Sequence, residues 1–173
     1  MPRPVSKILT IGYEMVSLED FVMTLEASNV RILIDVRAVA VSRRYGFSKH
    51  ALAEAVENAG IEYVHFRALG NPKPGREAAR NGDMHLFKEI FRDHLRSKEA
   101  QEALQDAAKI ARNSLACLLC FERDHSVCHR TIVAGRIARR KNKMNVRHLE
   151  VPLRYSKRPS HNRNNNEYRY AFG

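Results

Sequence analysis

LACLLC, residues Leu115–Cys120, is the most apolar strand-like stretch of the chain and shows no alternation of apolar and polar residues. A strand of this composition is typical of a parallel sheet, because helices cover both of its faces. A polar turn, Phe121–Val127, and a helix over roughly Cys128–Lys141 are predicted to follow it. This segment therefore predicts one strand–turn–helix unit of an α/β protein.

The same pattern extends in both directions from this unit. Further strands are predicted at Lys7–Gly12, Val30–Val36, Ile61–Phe66 and, as a short last strand, Val146–Leu149. Helices are predicted after the caps Ser17 and Ser48, at Leu86–Leu95 and at Glu99–Arg112. The segment Leu69–Asp83 is predicted to be a long loop. The order β-α-β-α-β-α-α-β-α-β predicts a three-layer, Rossmann-like α/β fold: a mostly parallel sheet with helices on both faces.

The chain is long enough for one domain with a substantial core, predicted over residues 1–152. Residues 153–173 are basic and poor in aliphatic side chains, so we predict a C-terminal extension there. No apolar run approaches the ~20 residues needed to cross a bilayer, and the N-terminus lacks an apolar signal segment. We therefore expect a cytoplasmic protein with no membrane partner. Three cysteines and no signal segment favour reduced thiols.

Charge is the most unusual bulk property of the sequence. The formal net charge is +11 at pH 7, with a sequence pI near 10.0. Such an excess favours an anionic partner, either a phosphate-bearing ligand or nucleic acid. The alternative is a basic surface without a specific partner.

Acidic side chains follow two of the predicted strands. Asp35 ends the run Ile32–Ile34, and Glu122 lies two residues beyond Cys120. In a parallel sheet these strand ends meet at one edge, where ligands bind, so the two carboxylates could serve acid–base catalysis. His129 is a candidate general base. The alternatives are a structural pair between Asp35 and Arg37, and a structural histidine.

The predicted helix start at Cys128 would present free backbone N–H groups and the positive end of the helix dipole. Arg130 adds a guanidinium suited to phosphate or carboxylate. In this setting Cys128 could have a lowered pKa and act as a nucleophile. The alternative is a small buried cysteine that packs the helix on the sheet.

The spacing of the cysteines bears on a possible zinc site. Cys117 and Cys120 resemble half of a zinc site that Cys128 and His129 would complete. However, residues three apart in a strand face opposite sides, so Cys117 and Cys120 could not easily bind one ion. The sequence therefore predicts no metal and no cofactor.

Four segments of the chain resemble the domain of unknown function 488 family. They are IGYEMVSLEDFV from Ile11, LIDVRAVAVSRRYGFSK from Leu33, GIEYVHFRALGNPKPGR from Gly60 and LLCFERDHSVCHRTIVAGRIA from Leu118. The resemblance extends over roughly Ile8–Leu149 and implies a compact α/β fold without an established reaction. The family motifs include these residues: Tyr13, Asp35, Arg37, Ser42, Arg43, Ser48, Glu122, Cys128, His129 and Arg130.

Three functions remain open on these observations. The first is an enzyme acting on a nucleotide or nucleic-acid substrate, with the anion bound by this set: Tyr13, Arg37, Ser42, Arg43, Ser48 and Arg130. Asp35 and Glu122 would then handle protons with help from His129. The second is a non-catalytic nucleic-acid-binding module that uses the basic surface and tail. The third is a thiol enzyme that uses Cys128. The sequence leaves the oligomeric state open.

Overall fold

The computed structural model describes residues 7–140 and 143–153 of the chain. Five strands lie in the described part: β1 Lys7–Gly12, β2 Ile32–Asp35, β3 Glu62–His65, β4 Ala116–Cys120 and β5 Asn145–His148. Its α-helices are α1 Leu18–Ala27, α2 Lys49–Asn58, α3 Lys73–Arg80, α4 Met84–His94, α5 Lys98–Asn113 and α6 His129–Arg139. The predicted extension, 153–173, lies outside the described residues except for Leu153.

The five strands form one sheet in the order β3-β2-β4-β1-β5, and every neighbouring pair is parallel. This confirms the predicted three-layer α/β fold. The register places Gly12 beside Cys120 and Asp35 beside Leu119, so the ends of β1, β2 and β4 lie at one edge. The functional groups that follow these strands are therefore brought together there.

Two separate apolar cores cover the two faces of the sheet. Helices α1 and α2 cover one face, where Phe21, Leu25 and Leu52 pack against Leu33 and other strand residues. The other four helices cover the opposite face, where Phe87, Leu104 and Val133 pack against Ile34 and Leu118. Because the helices that follow β1 and β4 lie on opposite faces, the crevice between these two strands is the topological switch point of the fold.

The prediction of a loop over Leu69–Asp83 is wrong in part, because helix α3 occupies Lys73–Arg80. Pro72 is the N-cap of this helix and Pro74 lies in its first turn. Proline is tolerated there because the first backbone N–H groups of a helix have no intrahelical acceptor. Prolines are also typical of loops, so the sequence pattern alone does not show that a helix begins here. No helix within the described ranges is both long and apolar enough to cross a bilayer.

Candidate functional site

Asp35 and Arg37 form a buried ion pair at the end of β2. Arg37 Nη2 lies 2.6 Å from Asp35 Oδ2, and their side chains are 4% and 0% exposed. Arg37 Nε donates to both carboxylate oxygens, at 2.9 and 3.0 Å, and its backbone N–H donates to Oδ1 at 3.0 Å. This is the structural pair that the sequence left open. The predicted catalytic role of Asp35 and anion-binding role of Arg37 stay predictions.

Two tyrosines complete this network. Tyr63 donates its hydroxyl to Asp35 Oδ2 at 2.6 Å, and burial together with the charge of Asp35 raises the pKa of Tyr63 well above its ordinary value. Arg37 Nη1 donates to the hydroxyl of Tyr13 at 3.1 Å and to the carbonyl of Phe47 at 2.8 Å. The ring of Tyr13 stacks on Phe47 at 4.4 Å between centroids. Tyr13 therefore positions Arg37 and the following loop.

The loop between β2 and α2 is held by its own serines. Ser48 Oγ accepts from the backbone N–H of Ser42 at 3.0 Å and donates to the carbonyl of the same residue at 3.2 Å. Ser42 Oγ accepts from the N–H of Arg44 at 3.1 Å. Arg43 is exposed. The predicted ligand contacts of Ser42, Arg43 and Ser48 stay predictions, and the two serines have a structural use.

Arg130 is buried at the switch point between β1 and β4, with 1% of its surface exposed. Its Nε donates to Thr10 Oγ1 at 3.2 Å, Nη2 donates to the carbonyl of Arg123 at 3.2 Å, and Nη1 donates to the carbonyl of Glu122. These contacts favour a role in holding the loop after β4. The predicted contact of Arg130 with an anionic ligand stays a prediction.

Four reactive side chains meet at the end of β4 and the start of α6: Cys120, Glu122, Cys128 and His129. We call them the thiol cluster; one ligand-type atom from each lies within 4.8 Å of the others. Both thiols contact Glu122 Oε2, at 3.2 Å from Cys120 and 3.0 Å from Cys128. Cys120, Cys128 and His129 are buried, whereas Glu122 is half-buried. Cys117 packs in the core on the other face of the sheet.

Burial disfavours the thiolate forms in this cluster. Burial and the neighbouring Cys120 raise the pKa of Cys128 well above its ordinary value. This direction favours the alternative of a buried packing cysteine, and the role of Cys128 as a nucleophile stays a prediction. Burial disfavours the charged form of Glu122 as well, but hydrogen bonds from both thiols and the charge of His129 lower its pKa.

A second feature lies at the ends of β2 and β3. A cleft of about 720 Å³ is lined by Ala38, Val39, Arg67, Ala68, Gly70, Pro72, Lys73, Arg76, His94, Ser97 and Glu99. Four of these side chains are basic in type and one is acidic, so we call it the basic cleft. Its volume lies in the range of small-ligand sites. Gly70 is required here because a Cβ at this position would collide with the backbone of Ala38.

None of the predicted site residues lines the basic cleft. Its charged groups come from three places far apart in the chain: the end of β3, helix α3 and the α4–α5 region. The long segment after β3 was the one signal in the sequence that pointed to it. Because that segment was predicted as a loop, the helix that places Lys73 and Arg76 on one side of the cleft was missed.

Two contacts connect the basic cleft with the thiol cluster. His129 Nε2 lies 2.8 Å from the carbonyl of Val36, two residues before Ala38 in the cleft wall. The ring of Phe91 contacts His129 on one side and His94 on the other, with centroids 5.2 and 6.1 Å away. Both features therefore belong to the same edge of the sheet.

Comparison with known proteins gives a family. The sequence model described as Domain of unknown function DUF488 matches residues 17–137, well over half of the chain. Comparisons with curated proteins and with solved structures give no match. The fold and the strand-end motifs agree with the family match, and the chain belongs to the DUF488 family.

Proposed function

We propose that the protein is an enzyme that acts on a phosphate-bearing substrate, a nucleotide or nucleic acid, and binds the phosphate in the basic cleft. The observation that carries this proposal is the group of Arg67, Lys73, Arg76 and His94 around a cleft that contains one acid, Glu99. Arg67 and Lys73 are exposed, and Arg76 and His94 are half-buried. Guanidinium and ammonium groups arranged in this way suit phosphate oxygens.

The start of helix α3 adds to this preference for anions. Pro72, the N-cap, and Lys73, the first helical residue, both line the cleft. No side chain caps this helix start with a hydrogen bond, so the backbone N–H groups of its first turn, which Pro74 lacks, have no capping acceptor. The positive end of the helix dipole would stabilise a phosphate there.

The thiol cluster would supply the reacting groups. The ring of Phe91 contacts both His129 of the cluster and His94 of the cleft, and Glu122 and His129 are the members suited to proton transfer. Asp35 is less suited, because its two oxygens accept from Arg37 and Tyr63.

The first experiment is thermal unfolding of the wild type with inorganic phosphate, a panel of nucleotides and short oligonucleotides. A ligand that binds only the folded state stabilises it by about 2.7 kcal/mol at 100 times its Kd. For a domain of this size we expect a rise in Tm of several degrees, at roughly 2–4 °C per kcal/mol. Arg67→Ala should reduce the rise, since this exposed side chain lines the cleft.

The matched control is Arg31→Ala, which removes an exposed arginine at the start of β2, the opposite edge of the sheet. It should leave the rise in Tm unchanged. Equal losses in both variants would indicate a response to overall charge and contradict binding in the cleft. With a ligand in hand, Glu122→Gln should abolish turnover while the rise in Tm survives.

A non-catalytic nucleic-acid-binding module is the second candidate, favoured by the net charge of +11. In that case affinity for oligonucleotides falls steeply with salt and small nucleotides do not raise the Tm. Removal of residues 153–173 should weaken binding, whereas Arg67→Ala should have no larger effect than Arg31→Ala.

A further inference from the structure

We propose that the thiol cluster is a zinc site in which Cys120, Cys128, Glu122 and His129 each contribute one ligand atom. This inference goes beyond the proposed function and does not require a ligand in the basic cleft; with an ion bound, Glu122 and His129 would act as its ligands in place of transferring protons. It replaces the expectation of no metal, which rested on the orientation of Cys117.

The spacing of the four ligand atoms fits one tetrahedral ion. A zinc ion with bonds of about 2.3 Å to sulfur and about 2.0 Å to nitrogen or oxygen holds its ligands roughly 3.3–3.8 Å apart. His129 Nδ1 lies 3.6 Å from Cys120 Sγ and 4.0 Å from Cys128 Sγ. The sulfurs lie 3.2 and 3.0 Å from Glu122 Oε2. All four ligand atoms lie within 4.8 Å of one another, so rotation of the side chains, above all that of Cys120, would bring them to tetrahedral spacing.

The imidazole of His129 is oriented as in a metal ligand. Its Nε2 lies 2.8 Å from the backbone carbonyl of Val36, which can only accept, so Nε2 must carry the proton. In the neutral ring Nδ1 then has a free lone pair, and this atom lies 3.6 Å from the Cys120 sulfur and 4.0 Å from the Cys128 sulfur. The Cys120 sulfur also lies 3.9 Å from Nε2, so its side chain would rotate toward Nδ1 on binding an ion. A hydrogen bond from the second ring nitrogen to a carbonyl is the usual support for a metal-bound histidine.

The backbone holds the other three ligands without help from a metal. Cys120 ends β4, and the side chain of Glu122, two residues later, lies 3.2 Å from its sulfur. Cys128 is the N-cap of α6, where its side chain makes no capping hydrogen bond. The turn between them is fixed by backbone bonds from Tyr13 and Glu14 to the carbonyl of Phe121, at 3.1 and 2.9 Å.

The ligands themselves would offset the charge of the ion. A bound divalent ion would hold Cys120 and Cys128 as thiolates, because a coordinating thiol is deprotonated outright. Two thiolates, one carboxylate and Zn²⁺ carry a net charge of −1. The neighbouring guanidinium of Arg130, which donates to the backbone of Glu122, would balance it.

The donor set selects the metal. Two thiolates and an imidazole are soft or borderline ligands, which favour zinc over magnesium or calcium. Glu122 is the half-buried ligand and the other three are buried, so Glu122 lies at the side from which water or a substrate oxygen could reach the ion.

The test uses the full-length chain, reduced and stripped of metal with a chelator, and then titrated with Zn²⁺ or Co²⁺ alone. We expect one Zn²⁺ per chain by elemental analysis. Co²⁺ should give the visible bands of a tetrahedral ion and a near-ultraviolet thiolate-to-cobalt charge-transfer band. Cys128→Ala and Cys120→Ala should lose stoichiometric binding or most of the charge-transfer band.

Cys117→Ala is the matched control, because Cys117 is an equally buried cysteine on the same strand that faces the opposite core. It should retain the wild-type cobalt spectrum, and far-ultraviolet circular dichroism checks that each variant is folded. A wild type that takes up no Zn²⁺, or that gives no tetrahedral Co²⁺ spectrum, would overturn the proposal even if a variant fails to fold. Equal losses in Cys117→Ala and Cys128→Ala would overturn it too. These outcomes do not depend on nucleotide binding, so failure here is distinct from failure of the basic cleft.

Discussion

Arg37 and Arg130 are both buried at the same edge of the sheet, yet their partners differ in charge. Arg37 is 4% exposed and contacts the carboxylate of Asp35 at 2.6 Å. Arg130 is 1% exposed, and its partners are two backbone carbonyls and the hydroxyl of Thr10. Within the described residues no carboxylate pairs with Arg130. One arginine is therefore neutralised locally, and the other leaves a buried positive charge beside the thiol cluster.

The two arginines therefore differ in their surroundings. Asp35, Arg37, Tyr13 and Tyr63 form one hydrogen-bond network at the end of β2. A buried cation without a counter-ion is costly unless hydrogen bonds or nearby negative groups compensate it. The thiol cluster next to Arg130 contains groups that become negative when a metal binds.

Removal of the Asp35 carboxylate, the partner of Arg37, should have the largest effect on stability. Asp35→Ala leaves the Arg37 guanidinium buried without its counter-ion and takes an acceptor from Tyr63. We expect a loss of about 3–5 kcal/mol in the free energy of unfolding, measured by urea titration. Glu102→Ala, which breaks the exposed pair with Lys98, is the control and should cost less than about 1 kcal/mol. Equal, small losses in both variants would contradict the assignment of Asp35.

Removal of the Arg130 guanidinium should have an intermediate effect on stability. Arg130→Met leaves its two carbonyls and Thr10 Oγ1 without this donor, at a cost of about 1–3 kcal/mol. The loss is smaller than for Asp35→Ala because no unpaired charge stays behind. The same urea titration measures it, with Arg31→Met as the exposed control. If Arg130→Met were as destabilising as Asp35→Ala, a counter-ion for Arg130 would have to exist.

The smallest effect is a pH dependence at His148, which shares Thr10 with Arg130. His148 Nδ1 lies 2.7 Å from Thr10 Oγ1, and its ring stacks on His125 at 3.6 Å. Partial burial, His125 and Arg130 lower the pKa of His148 below its ordinary value of 6.5. The unfolded chain therefore binds this proton first, and stability should fall as pH decreases from about 6.5 through the folded pKa.

His148→Gln keeps a polar side chain near Thr10 and should flatten this part of the stability curve, measured by urea titration between pH 8 and 5. The exposed His50→Gln is the control and should keep the wild-type slope. A wild-type curve with the same slope as His148→Gln would contradict a lowered pKa of His148.

Part of the arrangement at this edge of the sheet could be predicted from the sequence, and part could not. The strands Lys7–Gly12 and Leu115–Cys120 were predicted within one residue of their observed bounds, because continuous apolar runs are a local signal. Asp35 and Arg37 are two residues apart, so the sequence already offers a structural ion pair as the alternative to a catalytic Asp35. The proximity of Cys120 and Cys128 could not be predicted, because the shape of the turn between these two residues depends on contacts elsewhere in the fold.

The sequence by itself determined the strands, the order of elements, the parallel sheet and the edge at which polar groups collect, because hydrophobic periodicity and strand direction suffice for these. Only the tertiary structure decided which of those groups meet. The basic cleft combines Ala38, Arg67, Arg76 and Glu99, and the His129 tautomer depends on the carbonyl of Val36. Such contacts follow from the packing of helices and turns over the sheet, and chain spacing does not specify distances across a fold.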